Sequence, residues 1–289
     1  MHDLITRIMA ESAPGARILH RLSHDRLAQI GAIVVLLVIL AAVMLPWIAP
    51  HDPIRQFAGE RLGGPQASFP LGTDQLGRCL LSRLVWGARA SLGVALIVVA
   101  GAIVIGVPLG LISGYFGGAV DEIIMRVVDI LLSFPGIIFA IVVVGVLGPS
   151  LLSVMIGLAL VHWTSYARVV RGTVLEIKNR LFVEAAEAIG ARRLRIMFVH
   201  ILPHCLGPVL VMATLGMGHV ILAAAAMSFL GLGAQPPTPE WGAMLNGARD
   251  FIRVAPALMI PPGLAIMITV LSFNLLGDAL QDAIEPNGA

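Results

Sequence analysis

The sequence predicts an all-α integral membrane protein with six transmembrane helices, on the strength of three observations. Hydrophobic residues make up 58% of the 289-residue chain and charged residues 12%, with a mean hydropathy of +0.93, which leaves too few charges to cover a soluble globule. The apolar residues come in six runs of about twenty, each long enough to cross a hydrocarbon core. One long polar excursion in the membrane half of the chain, FVEAAEAIGARRLRIMFVHILPH (182–204), sits between two of those runs.

Residues 1–26 carry Arg7, Arg17, Arg21 and Arg26 ahead of the first apolar run, 27–48. A cleaved signal peptide would have a shorter apolar core and a shorter charged lead-in, so this run is read as a retained helix with a cytoplasmic amino terminus. Pro46, Pro50 and Pro53 end it and open a polar outer segment, 51–89. Further spans are expected at 91–113, 123–147, 151–170, 205–230 and 257–280, which completes a six-helix transmembrane domain over 27–280 and leaves 281–289 as a cytoplasmic tail. On that threading twelve of the 19 Lys and Arg residues fall inside, seven of them between Arg168 and Arg195, in line with the positive-inside bias. Glycines and a proline within the spans, among them Gly106, Pro108, Gly110 and Gly157, let backbones approach closely and kink. Cys79 and Cys205 would lie on opposite sides of the membrane, so no disulfide is expected.

Several classes of function lose their usual residues. A formal charge of +2 without basic–aromatic interleaving sets nucleic acid aside. Lys178, between Ile177 and Asn179, is the only lysine, so the chain has no P-loop of its own. An ion-coupled secondary transporter, the rival from another class, would place carboxylates at mid-membrane, whereas Asp121, Glu122, Asp129 and Asp278 fall at or near the ends of spans. No inverted repeat, Ser-His-Asp set, HExxH or Cys/His cluster is evident, so no catalytic residue and no cofactor is expected on this chain. The driving energy must then come from another polypeptide.

The polar segment is where it could enter. Glu184, Ala185 and Ala186 read as a short helix with alanine faces, Gly190 as a turn, Arg192, Arg193 and Arg195 as a basic helix, and Pro203 as the opening of the next span. The bland alternative is an Arg-rich interfacial loop, its arginines serving only as topology signals. The spacing resembles the EAA loop of ABC-importer membrane subunits, which docks in a groove of the ATP-hydrolysing partner. Together with LGTDQLGRCLLSRLVWGARASL (71–92), GYFGGAVDEIIMRVVD (114–129), WTSYARVVR (163–171), SFLGLGAQPPTPEWG (228–242) and FNLLGDALQD (273–282), the chain from about Arg26 onward is similar to the DppC/OppC/NikC family of inner-membrane permeases for peptides and nickel. Cys79 stands where that family usually has Asp, and His204 where it usually has Asn. The resemblance implies the type I importer permease fold and a heterodimer with a DppB-like permease in the lipid bilayer. It also implies two ATPase subunits holding ATP and Mg, an extracytoplasmic substrate-binding protein, and a cytoplasmic coupling loop at 171–203.

Glu184, Ala185, Ala186, Gly190, Arg192 and Arg193 are therefore the expected coupling residues, the alanines allowing close docking. Thr73, Asp74, Gly77 and Arg78, with Gln235 and Trp241, are expected on outer loops, either docking the binding protein or packing the rim. His162 and His219 fall inside spans, where a histidine either bonds to another helix or lines the pathway. As pathway residues they could handle nickel, with Met212, Met217 and Met227 as softer companions.

Overall fold

The computed structural model describes residues 21–284; the amino-terminal segment to residue 20 and the last residues of the tail, 285–289, lie outside the described residues. Among the described residues the chain is helical, with no extended sheet beyond two isolated bridges, Gln66–Phe69 and Thr73–Cys79. Helix α1 (Arg26–Val43) starts at Asp25, whose carboxylate accepts from the Leu27 and Ala28 N–H groups and so satisfies two orphan donors. A single further turn, Leu45–Ile48, follows it. The remaining helices are α2 (Leu80–Phe116), α3 (Gly118–Leu132), α4 (Gly136–Leu147), α5 (Leu151–Ile177), α6 (Leu181–Ala188), α7 (Arg193–Phe229), α8 (Trp241–Ala248) and α9 (Ile260–Ile284). Within α7 the bonding shifts to a π-turn at Ile196–Ile201, and Pro203 then sits in the first turn of the regular helix, where a missing N–H costs little.

Five helices, α1, α2, α5, α7 and α9, are long and apolar enough to cross a membrane. The sixth expected span, 123–147, is not one rod. Helices α3 and α4 meet at 87°, and only as a bent pair do they make a crossing. The break falls at Ser133-Phe134-Pro135, because proline lacks an N–H and pushes the residue before it out of the helical region.

The expected outer segment 51–89 also divides. Residues 50–79 form an irregular cap, whereas Leu80 onward is already helix α2, eleven residues before the expected start at 91. Arg83, which marked that stretch as loop, is buried. Its guanidinium donates to the Pro53 and Pro237 carbonyls at 3.1 and 3.3 Å and lies 3.5 Å from Asp74. Pairing inside the fold thus overrides the local charge.

At 37 residues α2 is about 55 Å long, well beyond the hydrocarbon thickness, and it links the two ends of the molecule. Its closest partner is α5. A Cβ added at Gly106, Gly110 or Gly114 would stand 2.7, 2.9 or 2.7 Å from the Cβ atoms of Tyr166, Val170 and Val174, so only a stripe of glycines one turn apart lets the two backbones meet. Two apolar cores are strung along α2: one around Val94, Val98, Val220 and Trp241, the other around Val170, Val174, Val183, Ile196 and Met197.

Candidate functional site

The far end of α2 carries the polar excursion. Helix α5 stops at Ile177, Lys178 donates to the Gly114 carbonyl at 3.1 Å, and α6 begins three residues later. Val183 and Ala186, three apart and so on one face, are buried against the second core. Ala186 therefore does not face a partner, contrary to the expectation for the alanine pair: it seats α6 on its own scaffold. Glu184 and Ala185 are on the open side. The helix ends at Gly190, whose φ of +77° is left-handed; the Gly190 and Ala191 N–H groups donate to Glu187 and Ala186 at 2.9 and 3.0 Å, a Schellman closure that requires this conformation. Beyond it Arg192, Arg193 and Arg195 are exposed. Between these charges stand bare apolar tips: Leu181 is 82% exposed, Ile189 85% and Leu194 65%. An exposed apolar patch of this kind marks an interaction surface, with a protein or with lipid.

The base beneath it is stiff. Arg171 holds Asp121 with two parallel bonds of 2.6 Å, and Ser113 donates to the same carboxylate, tying α5, α3 and the end of α2 together. Arg168 meets Asp129 at 2.6 Å nearby. Tyr115, at the end of α2, faces the Glu187 carboxylate on α6.

At the near end of α2 the expected outer residues are mostly hidden. Asp74 accepts from the Leu76 and Arg78 N–H groups and from the Arg78 guanidinium at 2.6 Å, and all three of Thr73, Asp74 and Arg78 are buried. Gly77, at φ +74°, lies against the Phe57 backbone, where a Cβ would clash. His51, Phe57 and Phe69 stack beneath. Across from them Glu240, only 2% exposed, caps α8 and accepts from Ser91 on α2 at 3.0 Å, while Trp241 donates to the Leu84 carbonyl at 2.9 Å. Of the six expected outer residues only Gln235 has an open side chain, and it bonds to the Gly231 and Gly233 carbonyls. Cys79 and Cys205 are both buried, so neither thiol can report which side of a membrane it faces.

Between the two ends, α5, α7 and α9 enclose a groove of about 500 Å³. The structure brings His162 and His219 to it, with ring centroids 5.7 Å apart, and adds Ser165, Tyr166 and Asn274, which sequence reasoning missed. The signal was present: 162, 165 and 166 share a helix face, as do 212, 215, 216 and 219. By the same spacing Met212 lines the groove. Met217 instead faces a cleft beside Arg89, and Met227 is fully buried in the core, so the expected methionine companions are not assembled. No group of three or more His, Cys, Asp or Glu side chains comes together among the described residues.

Residues 106–287 match the family model described as binding-protein-dependent transport system inner membrane component, and residues 13–65 match the N-terminal TM domain of oligopeptide transport permease C. The likeness thus begins ahead of Arg26. The chain is 44% identical over 274 residues to the dipeptide transport system permease protein DppC of Alkalihalophilus pseudofirmus, covering 95% of this chain and 90% of that one. It is 45% identical over 270 residues to the di/tripeptide transport system permease protein DppC of Pseudomonas aeruginosa, covering 91% and 89%. Against the glutathione transport system permease protein GsiD of Pectobacterium atrosepticum the figures are 41% over 283 residues, 98% and 94%. In fold it is similar to a chain of the MetNI methionine ABC transporter in inward-facing conformations, with a TM-score of 0.57 at 21% identity over 71% of this chain and 97% of that one. With a family model over more than half its length and relatives matching it nearly end to end, the chain belongs to the binding-protein-dependent transport system inner membrane components and is a multi-pass, inner-membrane permease subunit of an ABC importer on the DppC/OppC branch.

Proposed function

We propose that the chain is one of the two membrane halves of a short-peptide importer. It pairs with a DppB-like permease, two ATPase subunits hold ATP and Mg on its cytoplasmic side, and a substrate-binding protein delivers cargo from outside. The observation that carries the cargo is the 44–45% identity, nearly end to end, to permeases named for di- and tripeptides. Nickel is not favoured, because the histidine pair lacks a third ligand of its kind among the described residues and two of its three methionines lie elsewhere. In proteoliposomes holding all four kinds of subunit, ATP should drive accumulation of a labelled dipeptide; uptake of nickel with none of dipeptide would overturn the reading.

In this reading 171–203 is the cytoplasmic coupling segment. Glu184, Ala185, Arg192 and Arg193 face the ATPase with the apolar tips of Leu181, Ile189 and Leu194, while Ala186 and Gly190 set the shape of the element. The cap lies outside and the amino terminus and tail lie in the cytoplasm; Thr73, Asp74, Gly77, Arg78 and Trp241 hold the rim, leaving Gln235 as the one of the set able to meet the binding protein. An impermeant maleimide on spheroplasts should label Gln235→Cys and spare Leu194→Cys, with the buried native thiols silent. The reverse pattern would invert the topology.

A further inference from the structure

The groove between α5, α7 and α9 holds an anomaly. Among the described residues the hydroxyl of Tyr166 is buried and has no hydrogen-bond partner; the residue is only 2% exposed, and its Cβ lies against Gly106 of the α2 stripe. A buried polar atom left without a partner costs free energy, and in native folds such groups need a reason. Phenylalanine would fill the same space at no such cost. The neighbours are of the same character. The Nδ1 of His162 lies 3.0 Å from the Leu158 carbonyl, which can only accept, so Nδ1 carries the hydrogen and the neutral ring keeps Nε2 to accept from elsewhere. His219 and Asn274 complete the lining, and none of the lining residues is Asp, Glu, Lys or Arg. Toward the cap an almost wholly apolar cleft of about 680 Å³ continues from it, sharing Leu222, Val270 and Asn274.

We infer that Tyr166, His162, His219 and Asn274 form a neutral hydrogen-bonding station for the backbone of a short peptide in transit, with the apolar cleft above it accommodating variable side chains. This rests on the peptide-importer reading. Peptides of different sequence share their amides, and neutral donors and acceptors address that shared part. The missing charges have a use as well: a salt link at mid-membrane would hold one terminus too tightly for release, and a pathway needs sites weak enough to leave.

The test uses the complete importer in proteoliposomes, with Tyr166→Phe, His219→Ala and the double change His162→Ala/His219→Ala. Loss of one hydrogen bond to the passing peptide should lower maximal uptake of dialanine about fivefold in Tyr166→Phe. The half-saturating concentration and the ATPase stimulation by loaded binding protein should stay as in the parent, and the melting temperature should not fall. A purely structural tyrosine would show the opposite, with uptake, ATPase activity and melting temperature falling together, and that result overturns the station. So does dialanine uptake equal to the parent in both Tyr166→Phe and the double variant. A parent complex that imports no dialanine at all would instead sink the peptide reading, and the station with it.

Discussion

The two polar regions at the ends of α2 look alike in composition and behave in opposite ways. Both the cap and the α6 region mix arginines, carboxylates and glycines with apolar residues. At the cap end the charges turn inward: Asp74 and Arg78 of the cap, Arg83 of α2 and Glu240 at the start of α8 are buried and each is answered by a partner. Around α6 they turn outward, with Glu184, Arg192, Arg193 and Arg195 exposed among bare apolar tips, and two small contacts, Val183 and Ala186, seat the helix. A polar stretch in a membrane protein is thus not in itself a docking surface; what separates the two is whether the fold has already used its polar groups.

That contrast can be broken most sharply in the cap. Asp74→Ala leaves two buried guanidiniums without their carboxylate and should cost about 3–5 kcal/mol, read as a large fall in the melting temperature of the purified complex or in the amount that inserts. An unchanged melt would mean that the cap charges are solvated after all. Next comes the division within α6. Ala186→Leu overfills a buried site and should cost about 1–3 kcal/mol, whereas Ala185→Leu on the open face should stay within about 0.5 kcal/mol while impairing ATPase-coupled uptake. Equal melts for the two would erase the inward and outward faces. Gly190→Ala, forced into a left-handed conformation, should cost about 1–2 kcal/mol. Smallest in stability is Leu194→Ala, within about 0.5 kcal/mol, yet it removes an apolar tip from the proposed partner surface, so uptake should fall with no change in melt.

Much of this was legible in the sequence. Apolar runs of about twenty residues located the spans, and the Glu-Ala-Ala and Gly190 spacing located α6 and its left-handed turn. One miss was local, and the others share a cause, in that they depend on which side chain meets which across the fold. The 87° break at Pro135 was overlooked because 123–147 has the length of one span, although Ser133-Phe134-Pro135-Gly136 interrupts it. Arg83 read as loop because its partners, Asp74 and the Pro53 and Pro237 carbonyls, are distant in sequence. Ala185 and Ala186 are equivalent as letters, and only the Val183–Ala186 register tells which one is hidden. The hydroxyl of Tyr166 could not be singled out at all, since nothing in a sequence records that a buried group lacks a partner.

The glycine stripe of α2 also bears on how the protein is made. A chain threaded into the bilayer from its amino end presents α2 well before α5 exists, so Gly106, Gly110 and Gly114 first meet lipid, and the backbone they were shaped to receive arrives only after the bent α3–α4 pair has been laid down. Until then α2 has no tight neighbour on that side, and the newborn subunit is a loose set of spans. Substitutions along the stripe should therefore reveal themselves during biogenesis, as chains inserted but cleared by quality-control proteases, before any loss of transport by mature complexes could be measured.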